Sequence, residues 1–283
     1  MDFNMIDHFS RAEVRKALID FLMGRWVSVQ TEDEFRRYLN GKPLRVRDEL
    51  ELDSIIRLLR PRTFYGTIEI YKRIESREDV YDEGNVISAT PTWDIDSEIG
   101  NWRATVEVIS EIINFLSEEG VKNSVFIIWS GNGAHVHIHP LSISLKANPL
   151  DIAWSITEFV KLKLESRVEE IRRKHNAEKL ILANEIMPRR VFTAPLCFHR
   201  KLDVVTVPII PEDLDDFDIS WTSPKDFKFS SDWNKFSEGE ADALAERAYE
   251  SIGGYPIMSK RRRKGKKLEE MLWFNEPPDF NVQ

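Results

Sequence analysis

The sequence predicts an α+β fold in which a largely antiparallel mixed sheet is flanked by helices. Three observations lead there. Segments whose polarity alternates with period two are interleaved with segments of helical spacing. Several neighbouring strand segments are separated only by turn-sized links, so hairpins dominate over crossovers. The chain has 283 residues, 42% hydrophobic and 31% charged, enough to bury one large core. That composition excludes disorder as a description of the whole. No stretch reaches the roughly 18 apolar residues of a membrane span, and Met1-Asp2-Phe3-Asn4-Met5 has neither the basic nor the apolar region of a secretion signal. The single cysteine, Cys197, excludes an internal disulfide framework and a multi-cysteine zinc site. The expectation is an intracellular protein, cytoplasmic or nucleoid-associated, with no membrane partner.

The elements follow in order. Ser10 with Glu13 resembles a capping box, and Val14, Ala17, Leu18, Phe21 and Leu22 recur behind it at helical spacing. Residues 26–30 form a short strand. Residues 48–59 form a second helix that Pro61 stops. Residues 62–71 alternate, with Phe64, Gly66, Ile68 and Ile70 against Arg62, Thr67 and Glu69, and predict a strand. The polar stretch 75–85 is a turn or hairpin loop, and a second strand spans 86–95. Residues 102–119 predict a helix with Val108, Ile109, Ile112, Ile113 and Leu116 on one face and Gly120 at its end. A buried strand over 124–129, a turn at Ser130-Gly131-Asn132-Gly133 and a strand over 134–139 come next. A long amphipathic helix covers 151–175, and 191–192 and 204–209 are further strands. Residues 1–60 then read as a helical part of the same domain, 61–236 as its core and 237–283 as a helical segment with a basic run.

Charge is unevenly spread. Forty basic against 48 acidic residues give −8, yet seven of the eight residues from Lys260 to Lys267 are basic, which leaves the remainder at −15. Glu212, Asp213, Asp215, Asp216 and Asp218 form an acidic counterpart. A run of like charge is most often a solvated tail; the alternative is a polyanion contact through Lys260, Arg261, Arg262, Arg263 and Lys264.

Two constellations carry chemistry. Asp94 and Asp96 flank Ile95 on a strand, so both carboxylates share one face, about 6–7 Å apart, while Trp93 and Ile95 point to the core. Hard oxygen donors in that arrangement hold divalent cations, although paired surface acids are common. Half of the six histidines, His135, His137 and His139, alternate with Val136 and Ile138 behind the glycine turn. They read either as zinc ligands or as a polar exposed strand face. Pro140-Leu141-Ser142 stands where a zinc hydrolase would place an Asp-His pair. The turn itself frees backbone N–H groups for a phosphate.

The order Trp93-Asp94-Ile95-Asp96, a helix, an apolar strand, and Ser130-Gly131-Asn132-Gly133-Ala134-His135 resembles the archaeo-eukaryotic primase superfamily. Residues 190–201, Arg-Val-Phe-Thr-Ala-Pro-Leu-Cys-Phe-His-Arg-Lys, are similar to the third region of primase catalytic small subunits, where Pro-x-Ser-x-His-x-Lys leads into a strand. The resemblance spans residues 64–211, about half the chain. It implies a primase-type catalytic core in which Asp94, Asp96 and Glu185 bind Mg²⁺ or Mn²⁺, and Ser130, Gly131, His135, Arg190, His199 and Lys201 face the nucleotide. The implied partners are a DNA template, nucleoside triphosphates, and a primase large subunit or another replication protein. The implied activity is primer synthesis or extension by two-metal catalysis. Departures from the pattern, Asn132 for arginine in the turn, Thr193 for a basic residue and Cys197 for serine, also fit a catalytically weakened nucleic-acid-binding or regulatory relative.

Overall fold

The computed structural model describes residues 5–256. Helices α1 (Met5–Ser10) and α2 (Ala12–Leu22) lead into β1 (Val27–Gln30), the short pieces β2 (Phe35–Arg36), β3 (Tyr38–Leu39) and β4 (Lys42–Pro43), and α3 (Glu49–Leu59). Then come β5 (Thr63–Thr67), β6 (Glu69–Tyr71), α4 (Arg77–Tyr81), β7 (Val86–Ala89), β8 (Thr92–Asp96) and α5 (Trp102–Glu118). The hairpin β9 (Val125–Trp129) and β10 (Ala134–Ile138) precedes α6 (Pro149–Lys174). The chain continues through β11 (Ile181–Ala183), β12 (Val191–Thr193), β13 (Val207–Ile209) and α7 (Asp242–Ile252).

Two antiparallel sheets dominate, in the strand orders β12-β5-β1-β2 and β11-β8-β10-β9-β13, with β3-β4 and β6-β7 as separate pairs. The α+β architecture expected from the sequence is the one observed. Because β1 pairs with β5, Val27 opposite Gly66, the first 60 residues share a sheet with the central part of the chain. The main apolar core runs from Phe9 to Ala248 and includes residues of both large sheets, with smaller clusters around Ile68 and Phe192 and around Trp26 and Tyr71.

Local chemistry sets the helix ends. Asp48 caps α3 by accepting from Glu51 N–H (2.9 Å), and Arg60 takes the left-handed region (φ +47°) just before Pro61. Asn148 caps α6 by accepting from Leu150 N–H (3.0 Å), with Pro149 in the first turn, so the helix starts two residues ahead of the expected position. Gly120, φ +89°, ends the turn after α5, and Val121 N–H returns to Leu116 O (2.8 Å). The capping box expected at Ser10 does not form. Its hydroxyl donates back to Asp7 O (2.7 Å), and the helix breaks into α1 and α2. A capping box occurs instead at Ser76 and Asp79, which start α4 inside the stretch expected to be loop.

Both long strand segments break in the middle. Residues 62–71 divide at Ile68, whose N–H goes to Arg190 O (2.8 Å), and 86–95 divides at Thr90-Pro91. After each break the chain changes sheets. The buried guanidinium of Arg25 pins these corners, donating to Thr67 O (2.6 Å), Ile68 O (3.1 Å) and Thr90 Oγ1 (2.8 Å), and to Phe21 O (2.8 Å). Burial lowers its pKa to about 10, so it stays charged at neutral pH.

Helix α6 covers one face of the five-stranded sheet, where Trp93 Nε1–H donates to Thr157 O (3.0 Å). The opposite face turns toward the four-stranded sheet, with His135 against Phe192 of β12 (ring centroids 4.7 Å). Helix α7 packs on α6. The run Lys260–Lys267 lies outside the described residues. Among the described residues no helix is long and apolar enough to cross a membrane.

Candidate active site

The site lies at the seam between the two large sheets. Strand alternation puts Trp93 and Ile95 in the core and leaves Asp94 half-buried and Asp96 exposed on the other face. The antiparallel register sets His135 directly opposite Asp94 and His137 opposite Thr92. His135 Nε2 therefore lies 3.4 Å from Asp94 Oδ1, and His137 Nδ1 lies 2.9 Å from Thr92 Oγ1. Burial drives His135 down to about 3, so it is a neutral imidazole at physiological pH, a hydrogen-bond donor and not a cation.

The turn between β9 and β10 is fixed by contact. Ser130 N–H and Oγ both reach Gly133 O (3.0 and 3.3 Å), and Trp129 Nε1–H donates to Gly131 O (3.0 Å). A Cβ on Gly133 would sit 1.9 Å from Ile95 O, between the two aspartates, so only glycine fits there. Gly131, φ +133°, lies flat against His199, whose Cδ2 a Cβ would meet at 2.8 Å.

His199 comes from the loop before β13. Its Nδ1 accepts from Lys201 N–H (3.1 Å) and Leu202 N–H (2.8 Å), which places the ring proton on Nε2. Burial lowers its pKa to about 4. Arg62 clasps this loop, Nε donating to His199 O (2.8 Å) and Nη2 to Leu202 O (2.8 Å). Lys201 is exposed. Arg200, beside it, faces the pair closely enough for its charge to act on Asp96. The sequence pattern does not single out Arg62 or Arg200; the basic character of the 199–201 segment is a signal for Arg200, and nothing local marks Arg62.

Arg190 bridges two carboxylates, Nη2 lying 3.5 Å from Asp94 Oδ2 and Nη1 3.5 Å from Glu185 Oε2. Glu185 thus stands beside the guanidinium and not at metal-ligand distance from the aspartates: among the described residues no three His, Cys, Asp or Glu side chains converge to hold a metal ion. The three histidines in a row are buried, not an exposed face. His137 stacks on Phe126 (4.7 Å) and His139 on Phe236 (4.4 Å, 4° between planes), and His139 Nδ1 accepts from Leu141 N–H (3.3 Å). They do not share a ligand position, and the zinc reading fails on that geometry.

The Asp94–Asp96 pair remains strained electrostatically. Burial raises the pKa of Asp94 against the pull of Arg190, and burial followed by the charge of Asp94 raises that of Asp96. Two hard carboxylates on one strand face suit a divalent cation, since Mg²⁺ is commonly held by one or two carboxylates with substrate phosphates completing its shell.

No family model matches the chain, and no curated protein matches it. Among solved structures, the chain is similar to the polymerase domain of Mycobacterium tuberculosis ligase D in complex with DNA, at 16% identity and a TM-score of 0.56, over 88% of each chain. The likeness shows a shared fold and agrees with the antiparallel topology described above.

Proposed function

We propose that this chain is a nucleotidyltransferase of the primase superfamily that makes or extends nucleic acid on a DNA template. The observation that supports it most is the joint placement of Asp94, Asp96 and His135 on paired strands, with Gly133 wedged against the bond between the aspartates. The DNA-bound state of the similar polymerase domain adds support for DNA as partner. Asp94 and Asp96 would hold Mg²⁺ or Mn²⁺, and Glu185, paired with Arg190 here, would be the candidate third ligand. The ion supplies charge neutralisation for the attacking 3′-hydroxyl and the leaving pyrophosphate.

The chain's own groups do the rest. His135, neutral, donates from Nε2 to a phosphate oxygen in place of Asp94. His199 presents its Nε2–H beside the Ser130–Gly133 turn, whose backbone N–H groups cradle the same anion. Arg190 and Lys201 supply positive charge toward the triphosphate, and Arg62 positions His199. The basic run Lys260, Arg261, Arg262, Arg263 and Lys264 contacts template phosphates, and a large subunit or other replication protein completes the assembly. Residues 61–236 form the catalytic core, with 1–60 and 237–283 as its flanking parts.

A second reading, a catalytically weakened DNA-binding relative, draws on the guanidinium of Arg190 lying against Asp94 and Glu185. Primer extension and de novo synthesis with Mg²⁺, Mn²⁺ or chelator separate the two. Product that needs metal and disappears in Asp94→Asn/Asp96→Asn, with folding intact, supports the transferase. DNA binding without product under any metal supports the weakened relative. Full activity in the double variant overturns the assignment of the pair.

A further inference from the structure

Adjacent arginines on this chain point to different places, and the backbone is held so that they must. Arg190 reaches Asp94, whereas the guanidinium of Arg189 lies 4.7 Å from the ring centre of Tyr81 on α4. Arg189 takes the left-handed region, φ +62°, which a side chain of its size rarely adopts. Both of its backbone polar groups are gripped. Its N–H donates to Oε2 of the buried Glu69 (2.7 Å), and its carbonyl accepts from Arg37 Nη2 (3.2 Å). Glu69 is itself held by the Tyr71 hydroxyl (3.0 Å). A buried carboxylate and a half-buried guanidinium are costly to place, and here they hold one strained residue. Backbone strain so secured is a pointer to function.

What the arrangement presents is an aromatic surface. Tyr81 is 39% exposed. The buried ring of Trp26 backs it (6.0 Å, edge-on), and Arg77 stands 5.6 Å from its centre on the exposed side of α4. An exposed tyrosine with guanidinium groups beside its ring is the chemistry that receives unpaired nucleic-acid bases, which stack on aromatic rings and on arginine alike. Glu78, Asp82 and Glu83 are exposed on the same short stretch, so a continuous phosphate track is disfavoured and stacking is the remaining mode. One peptide bond separates this surface from the residue that touches Asp94.

We propose that Tyr81 and Arg189 form a stacking platform for an unpaired base of the template strand. The proposal rests on the transferase reading for the identity of the strand. The test is binding of fluorescent single-stranded DNA to the full chain across a salt series in chelator, alongside primer extension with metal. Tyr81→Ala lowers affinity about tenfold, within the range for one base–aromatic stack. Its salt slope is unchanged, because a lost stack releases no counterions. Tyr81→Phe, which keeps the ring, restores wild-type affinity, and equal thermal melting of the three proteins excludes a folding effect. Wild-type affinity in Tyr81→Ala overturns the platform while leaving the transferase reading to the extension assay. A wild-type chain that binds no single-stranded DNA overturns both.

Discussion

Gly133→Ala tests the central packing relation of the site without depending on any substrate. The added methyl would lie 1.9 Å from Ile95 O, 3.0 Å from Ile95 C and 3.4 Å from Asp96 Cα. Ordinary carbon–oxygen contacts begin near 3.3 Å, so the turn or β8 must move by about 1.4 Å. The obstacle is backbone inside a five-stranded sheet, with no flexible side-chain tip to swing aside. The cost therefore falls at the upper end of overpacking, about 3 kcal/mol. For a chain of this size that lowers the melting temperature by about 5 °C. Displacement of the aspartates by about 1 Å also costs on the order of 100-fold in turnover. The assay is thermal melting and metal-dependent extension of Gly133→Ala beside Asn132→Ala, an exposed neighbour in the same turn expected to behave as wild type. A Gly133→Ala protein that melts and turns over like wild type would refute the reasoning.

Two further outcomes concern the buried histidines. His135→Ala raises the nucleotide KM far more than His139→Ala, because His135 faces Asp94 while His139 is occupied by Phe236 and Leu141 N–H; steady-state kinetics of the two variants check this, and equal effects would contradict the assigned roles. Stability falls as pH drops from about 6.5 toward 4, because unfolded His139 takes a proton near 6.5 that the folded ring refuses until about 4. One such group changes the folding constant by up to tenfold per pH unit across that window, and chemical denaturation of His139→Phe, with a slope shallower by one proton, measures it.

Much of the architecture was legible because periodicity is strong where a segment is long and one face is buried. Helix α5 and the β9–β10 hairpin stand within a residue of expectation for that reason. Strands of two or three residues, such as β2 and β11, hold no period to read. The breaks at Ile68 and Thr90-Pro91 depend on partners far along the chain, Arg190 and Arg25, which a local pattern does not reveal. The aspartate pair was readable from its alternation with Trp93 and Ile95. The burial of the histidine row was not, since its cover comes from Phe21, Phe192 and Phe236. Likewise the divergence of Arg189 and Arg190 is imposed by Glu69 and Arg37, more than 100 residues upstream.

The pinning of sheet corners by Arg25 has a consequence for how the chain acquires its structure. Its partners Thr67, Ile68 and Thr90 lie 42, 43 and 65 residues downstream. The strand that completes the first sheet, β12, is supplied only at residues 191–193. The β5 edge of the amino-terminal sheet therefore stays unpaired until β12 has been made, although every partner of Arg25 is present by residue 90. Contacts of such sequence separation form slowly, because loop closure precedes any gain from pairing. Docking of the 191–193 segment adds the edge strand to β5 and brings Arg190 to Asp94 together. The segment that brings charge to the aspartates is thus also the one that covers the β5 edge, so the site and the four-stranded sheet are completed by the same pairing.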